Sequence, residues 1–231
     1  MNRTKLAVLS IFFVLFSGCT STPEFQSGPD AEVTHDGLTR LDKTVMDVVW
    51  ARTDIELTGY SKIMLEGVGV EYRPAKGPYS GRAGTGTMRR TTQTEFQLDD
   101  KTKALVQEEI ANAFVEELAR SESYAIVDQP GPDVLKVRVG LLDVVSMVPP
   151  EAVGRVSVYL DRVGEATLVL ELRDSESNAI LARAVDRRAA ERSASNLMES
   201  NSVTNRAEVR RLGRSWANIV RRGLETLMAT E

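Results

Sequence analysis

The chain has 231 residues, 42% of them hydrophobic and 27% charged, and a formal net charge of −4 at pH 7. This length and composition indicate one globular domain of ordinary size. The mildly acidic balance gives no general case for a nucleic-acid partner. The single cysteine cannot form a disulfide within the chain.

The first element is a secretory signal peptide, predicted over residues 1–18. Arg3 and Lys5 make the start basic, and an apolar run then extends from Leu6 to Phe16. A basic start, a short apolar core and small residues before a cleavage site are the marks of such a signal. The run is too short for a permanent transmembrane helix, which needs about 20 apolar residues.

The end of this signal, at Ser17, Gly18 and Cys19, resembles the lipobox of bacterial lipoproteins. The resemblance implies cleavage between Gly18 and Cys19 and a lipid on the Cys19 thiol. An aspartate after the cysteine usually retains a lipoprotein in the inner membrane, so Thr20 implies sorting to the outer membrane. We therefore expect a lipid-anchored protein at the periplasmic face of the outer membrane. The alternative is an incidental cysteine at an ordinary cleavage site.

Residues 19–36 follow as a polar segment that contains Pro23, Gly28 and Pro29. This composition predicts a flexible tether between the lipid and the domain. A partly ordered arm that packs on the domain is the alternative. Residues 37–231 are then expected to form a single periplasmic α+β domain.

A first strand is predicted from Tyr60 to Tyr72, with an irregularity near its two glycines. The Gly-, Pro- and Thr-rich segment 73–97 that follows is predicted to be a long loop. Thr87 stands where a phosphate-binding loop would need a lysine, which argues against that motif. Three arginines make the loop a possible contact surface for an anionic partner: Arg82, Arg89 and Arg90.

Apolar residues at three- and four-residue spacing predict a helix over about 100–120, with Asp99 or Asp100 as its cap. Strands are then expected at 124–128, 134–148, 163–175 and 179–191, because apolar and polar residues alternate there. A basic amphipathic helix is predicted over about 205–228. It packs its apolar stripe on the sheet, or lies on an anionic membrane as the less favoured alternative. Its arginines are expected to be solvated or paired with surface carboxylates.

This order of elements predicts an α+β fold: an antiparallel or mixed sheet of about five strands with two long helices on one face. Nothing in the sequence indicates a cofactor or a metal ion. His35 is the only histidine and lies in the predicted tether, which excludes a two-histidine zinc site and a histidine-based triad within the domain. The adjacent acids Asp99-Asp100 and Glu116-Glu117 are expected to be solvated.

Asp186 shares a predicted strand face with small apolar residues and with Arg188. A carboxylate that enters the edge of a core needs a partner. We therefore predict a structural ion pair between Asp186 and Arg188, in preference to a catalytic role for Asp186.

Three stretches, residues 36–42, 48–72 and 168–189, resemble one group of bacterial lipoproteins. Its name is the domain of unknown function thirty-three thirteen. The segments "YSK" at 60–62, "LRDS" at 172–175 and "AVDRR" at 184–188 carry the resemblance. The resemblance implies the same fold over most of the mature chain, and it implies no activity, cofactor or catalytic residue.

The favoured function is a non-enzymatic envelope lipoprotein that presents its domain to an envelope protein partner. A periplasmic carrier of a small molecule or lipid is the alternative, and a deep apolar cavity between sheet and helices would favour it over a filled core. A carboxylate-dependent hydrolase is the third hypothesis. It would need two acids about 5–9.5 Å apart across a cleft.

Overall fold

The computed structural model describes residues 22–74, 95–149, 157–191 and 197–229. The strands are β1 (Glu24–Phe25), β2 (Thr39–Asp42), β3 (Val48–Ala51), β4 (Lys62–Tyr72), β5 (Ala125–Ile126), β6 (Val134–Ser146), β7 (Tyr159–Leu160), β8 (Arg162–Asp174), β9 (Ile180–Glu191) and β10 (Met198–Glu199). The helices are α1 (Asp100–Leu118) and α2 (Ser202–Ala229).

The main sheet has eight strands in the order β1-β2-β3-β9-β8-β6-β4-β5, and β7 pairs with β10 as a separate ribbon. Strand β4 is parallel to both of its neighbours, and the other pairings in the described chain are antiparallel. The α+β class and the mixed sheet are therefore confirmed, whereas the expectation of about five strands was too low. Strands β1, β2 and β3 were missed because segments of two to four residues are too short to show alternation.

The prediction of a flexible tether over residues 19–36 is wrong for the part that the structure describes. Glu24 pairs with Asp42 and Phe25 with Leu41, so the segment adds an edge strand to the sheet. An Arg40–Glu32 ion pair with an N···O distance of 2.8 Å holds the following loop. The ordered fold therefore begins before residue 37, as the alternative of a packed arm predicted.

Both helices begin at the same end of the sheet, and each has a cap. The Asp99 carboxylate accepts a 2.7 Å hydrogen bond from the Thr102 amide at the start of α1. The Asn201 side chain accepts from the amides of Val203 and Thr204, each at 3.0 Å, at the start of α2. These bonds satisfy donors that the first turn of a helix leaves free.

The two helices lie side by side and parallel on one face of the sheet. Glu109 of α1 contacts Arg206 and Arg210 of α2, and Glu117, two turns later, contacts Arg221. A Cβ atom on Gly213 would lie 2.9 Å from the Ala113 Cβ, which shows how closely the helices approach. A glycine at this position therefore permits the contact between the helices.

The core lies between this helix layer and the inner faces of β6, β8 and β9. Its largest fully buried side chains include Trp216, Phe114, Leu118 and Leu224. The apolar stripe of α2 is therefore buried in the domain, and the alternative in which α2 lies on a membrane surface is wrong. No helix in the described ranges is long and apolar enough to span a membrane.

Candidate functional site: a cleft where both helices begin

A cleft of about 1850 Å³ opens between the sheet and the first turns of α1 and α2. Its floor is formed by apolar side chains from the ends of β6, β8 and β9 and from the helices. Eight of these floor residues are buried in the fold: Ile110, Leu141, Val144, Val145, Val163, Ala166, Ala190 and Leu212. Pockets for drug-sized ligands usually measure about 300–1,000 Å³, so the cleft has room for a larger apolar group.

The cleft has this shape because the sheet carries small residues at this end. Ala166 and Ala190 point toward the helices, and a Cβ atom on Gly164 would lie 2.4 Å from the Val145 carbonyl oxygen. Strands β6 and β8 therefore approach closely at Gly164, next to a register shift between Leu142 and Val145. A bulge of this kind disrupts the ladder locally and bends the strand that carries it.

Polar groups are concentrated at the mouth of the cleft. They come mainly from the helix starts and the residues before them: Gln97, Asp99, Thr102, Ser200, Asn201, Ser202 and Asn205. The exposed side chains Leu105 and Val203 stand among them. The described lining thus has an apolar floor and a polar mouth, which suits an amphipathic ligand.

Glu109 forms the charged wall of the cleft. Its carboxylate is 1% exposed, and it accepts hydrogen bonds from the Nε atoms of Arg206 and Arg210, the latter at 2.7 Å. Burial acts to raise the pKa of Glu109, but the hydrogen bonds from the two arginines outweigh it and lower the pKa. The carboxylate is therefore ionised at neutral pH and fixes the spacing of the two helices.

Glu117 repeats this arrangement farther along the helix pair. It is 3% exposed and accepts bonds from Asn218 at 2.8 Å and from Arg221 at 3.1 Å. Burial raises its pKa, and the Asn218 and Arg221 bonds lower it by more. The expectation that the Glu116-Glu117 pair is solvated was therefore wrong for Glu117, because helix α2 covers it.

A second charged group lies beside the cleft, where β4 ends. Arg73 contacts Glu95 at 3.2 Å, Asp143 at 3.5 Å and Glu165 at 3.7 Å. Arg187 also bridges Glu165 and Asp143. Asp143 has a φ of +56° within the β6 bulge, a conformation that few residues other than glycine adopt.

The structure brings Asp186 and Arg188 together away from the cleft lining. Arg188 Nε donates to Asp186 Oδ2 at 2.6 Å, and the same oxygen accepts from the Trp216 indole at 2.7 Å. Asp186 Oδ1 accepts from the Asp47 amide at 3.1 Å. Asp186 is 2% exposed, and these donors bind it on both oxygens.

Five other predicted site residues, together with the rest of the signal, are outside the described residues. Cys19 and Gly18 belong to residues 1–21, and the loop arginines belong to residues 75–94: Arg82, Arg89 and Arg90. The two ends of the predicted loop 73–97 are described, and Phe96 near its second end lines the cleft. Among the described residues, no group of three or more His, Cys, Asp and Glu side chains could hold a metal ion.

The sequence interpretation missed the cleft and the buried carboxylates of α1. Their signal is a repeat: acids at 109 and 116–117 on one helix, and arginines at 206, 210, 214 and 221 on the other. Residues seven or eight apart lie on one face of a helix. Two complementary charged faces of this kind indicate helices that contact each other. Considered alone, the charged face of each helix looks solvated.

A family model described as "Protein of unknown function (DUF3313)" matches residues 33–220. The chain belongs to this family. The match covers β2 to Val220 in α2, including the Asp186 network and all of the described cleft lining. No curated protein matches the chain.

Several solved structures resemble this chain at a distance. PelC from Paraburkholderia phytofirmans, solved as a dodecamer, is 12% identical, covering 79% of this chain and 98% of its own, with a TM-score of 0.35. Protein XCC0632 from Xanthomonas campestris, of family model DUF330, is 10% identical over 73% and 85%, with a TM-score of 0.38. A putative neuraminyllactose-binding hemagglutinin homolog from Helicobacter pylori is 9% identical over 76% and 86%, with a TM-score of 0.32. Likeness at this level carries no argument about function.

Proposed function

We propose that this protein is a lipoprotein of the bacterial envelope and that its domain is a non-enzymatic binding module. Lipid on Cys19 holds it at the periplasmic face of the outer membrane, where the domain meets an envelope partner. The observation that carries the proposal is the sequence around Cys19: a basic start, a short apolar run, and Ser17-Gly18 before the cysteine.

Membrane attachment through a lipid agrees with the energetics of insertion. One acyl chain contributes about 0.8 kcal/mol per buried CH₂ group and anchors a protein only marginally, so stable attachment takes more than one chain. The lipobox resemblance implies several acyl chains on the one cysteine. The non-enzymatic role is supported by the buried carboxylates Glu109, Glu117 and Asp186, which are each held by donors within the domain.

The test is to replace the anchor residue and follow both lipid and location. The full-length chain and its Cys19→Ala variant are expressed in a bacterial host that is fed a clickable fatty acid, and the envelope is fractionated. We expect the wild type to carry label and to fractionate with the outer membrane, and the variant to lose both. Ser17→Ala, which keeps a small residue beside the cysteine, is the control and should retain both. A variant that stays in the outer membrane without label would contradict the anchor.

A second candidate, a carrier of an apolar ligand, is favoured by one observation. The cleft between sheet and helices has an apolar floor and a volume of about 1850 Å³. A filled core at this position would have favoured a purely structural module. The two candidates are compatible, because a lipid-anchored domain can also hold a ligand.

A further inference from the structure

We propose that the cleft end of the domain faces the membrane and that the cleft takes an acyl chain of a phospholipid from the adjacent leaflet. This inference rests on the proposed lipid anchor at Cys19. It goes beyond the anchor by assigning an orientation to the domain and a chemical class to the ligand.

The first argument is the direction in which the chain leaves the fold toward its N-terminus. Strand β9 ends at the cleft, and β3 and β2 are antiparallel neighbours in turn, so the turn between β2 and β3 lies toward the same end. Strand β1 is antiparallel to β2 and pairs Glu24 with Asp42. The chain before Glu24 is therefore directed toward the cleft end.

The second argument is the reach of the segment that precedes the described chain. Cys19 is three residues before Thr22, and an extended chain spans at most about 3.6 Å per residue. The Cα atom of Cys19 therefore lies within about 11 Å of the Cα atom of Thr22. A lipid on Cys19 consequently holds the membrane close to this part of the domain.

The third argument is the placement of exposed apolar side chains. Val203, in the first turn of α2, is 75% exposed and lines the cleft. Tyr159 of β7, at 55%, and Leu197 immediately before β10, at 66%, lie close in the chain to residues that line the cleft, Val158 and Glu199. Exposed apolar groups gathered around an opening mark a surface that meets a membrane or a partner.

The size and apolar floor of the cleft suit the acyl chain of a lipid. The buried floor is apolar and includes the side chains of Leu141, Val163 and Ala190. The volume of the cleft exceeds that of a usual small-ligand pocket. Its polar mouth opens at the end that we assign to the membrane. An acyl chain can enter the floor while the headgroup stays in the interfacial region, so no buried charge has to be paired.

The test uses the mature chain, residues 19–231, made without the signal so that Cys19 carries no lipid. It is incubated with vesicles of phosphatidylethanolamine and phosphatidylglycerol and separated from them, and the bound phospholipid is counted by native mass spectrometry. We expect bound phospholipid on the wild type. The double variant Leu105→Asp/Val203→Asp places carboxylates at the mouth and should bind at least about tenfold less, since a charge against an acyl chain is poorly solvated.

The matched control is Val115→Asp/Leu227→Asp, which makes the same change at exposed positions of the same two helices away from the cleft. It should bind phospholipid as the wild type does. Equal loss in both double variants, or no phospholipid on the wild type, would overturn the inference. A wild type that binds none while the Cys19→Ala fractionation still shows a lipid anchor rejects the cleft ligand and leaves the proposed function standing.

A further experiment tests whether the acyl chain in the cleft comes from a phospholipid of the leaflet or from the lipid on Cys19. The lipidated protein, extracted from envelopes with mild detergent, is given the same phospholipids. We expect it to bind them as the unlipidated chain does. If only the unlipidated chain binds, the acyl chains on Cys19 fill the cleft, and the assignment to a leaflet phospholipid is wrong.

Discussion

The helix layer and the sheet are in full contact at one end of the domain and separated by a cleft at the other. Toward the ends of the helices, Trp216, Phe114 and Leu118 fill the space above the sheet. Where the helices begin, Ala166 and Ala190 of the sheet line the floor of the cleft. The filled half therefore buries more apolar surface and contributes more to the stability of the domain, and the cleft half is the part to which we assign binding in our proposal.

The polar groups of the filled half also differ from those of the cleft half. In the filled half, the Asp186 carboxylate is surrounded by donors from Arg188, Trp216 and Asp47. At the cleft, the polar groups of the mouth stand at the surface around the helix starts. A buried network that is fully satisfied helps to specify one arrangement of the core, whereas a half-exposed rim can exchange partners.

The largest expected effect comes from removing the carboxylate at the centre of the filled half. Asp186→Ala leaves the buried Trp216 indole and the Asp47 amide without an acceptor, and we expect a loss of about 3 kcal/mol. For a domain of this size that is roughly 6–12 °C in Tm. Thermal unfolding measures it, with Asp54→Ala, in an exposed pair with Arg52, as a control that should change little. An unchanged Tm in Asp186→Ala would show that the network does not stabilise the fold.

The second prediction compares the filled half with the cleft half by making the same change, alanine to leucine, at two positions on one face of β9. Ala184 and Ala190 both point from β9 toward the helices, at 7% and 4% exposure, but of the two only Ala190 lines the cleft. Ala184→Leu should cost about 1–3 kcal/mol because the core there has no room. Ala190→Leu should range from no change to about 1 kcal/mol of stabilisation, since its extra atoms enter the cleft.

Denaturant unfolding of the two variants measures this difference. A shift in midpoint without a change in slope would assign the effect to the folded state. Equal destabilisation of both variants would mean that the cleft is closed in solution, and this would remove the basis of the binding proposals. Ala190→Leu should also reduce phospholipid binding without unfolding the domain.

The sequence predicted the long elements and missed the short ones, for a physical reason. Alternation over 162–174 and 180–191 is long enough to identify β8 and β9, and Asp99 marks the start of α1. Strands β1 to β3 have only two to four residues, too few for alternation to be recognised, and β3 pairs with β9, which is distant in the chain. Their position depends on tertiary contacts that no local window contains.

The site was less predictable than the fold because it is defined by an absence of packing. Asp186 and Arg188 could be paired from their shared strand face, since strand side chains alternate with a period of two. The cleft, in contrast, depends on where two helices start relative to small residues on three strands. Glu117 was expected to be solvated, and Glu109 was given no role, because their partners lie on α2, about a hundred residues later.

The smallest expected effect is the pH dependence of the contact between the helices at the cleft wall. The pKa of Glu109 is lowered in the folded state, because bonds from Arg210 and Arg206 outweigh the opposing effect of burial. A lowered pKa stabilises the fold fully above the pKa of an unfolded glutamate, about 4.3. This contribution is lost as the pH falls through the lower folded-state value. Burial and pairing oppose each other, so the net effect should be modest.

Glu109→Gln should therefore flatten the fall in stability below pH 4.3, measured by urea unfolding at several pH values. Glu116→Gln is the matched control on the same helix, because Glu116 is about half exposed and pairs with Arg214 at the surface. It should leave the slope with pH unchanged. If both variants lose the slope equally, the acid sensitivity belongs to the surface charges of α1 in general. The ion pairs of Glu109 with Arg206 and Arg210 would then not be what holds the two helices together at the cleft wall.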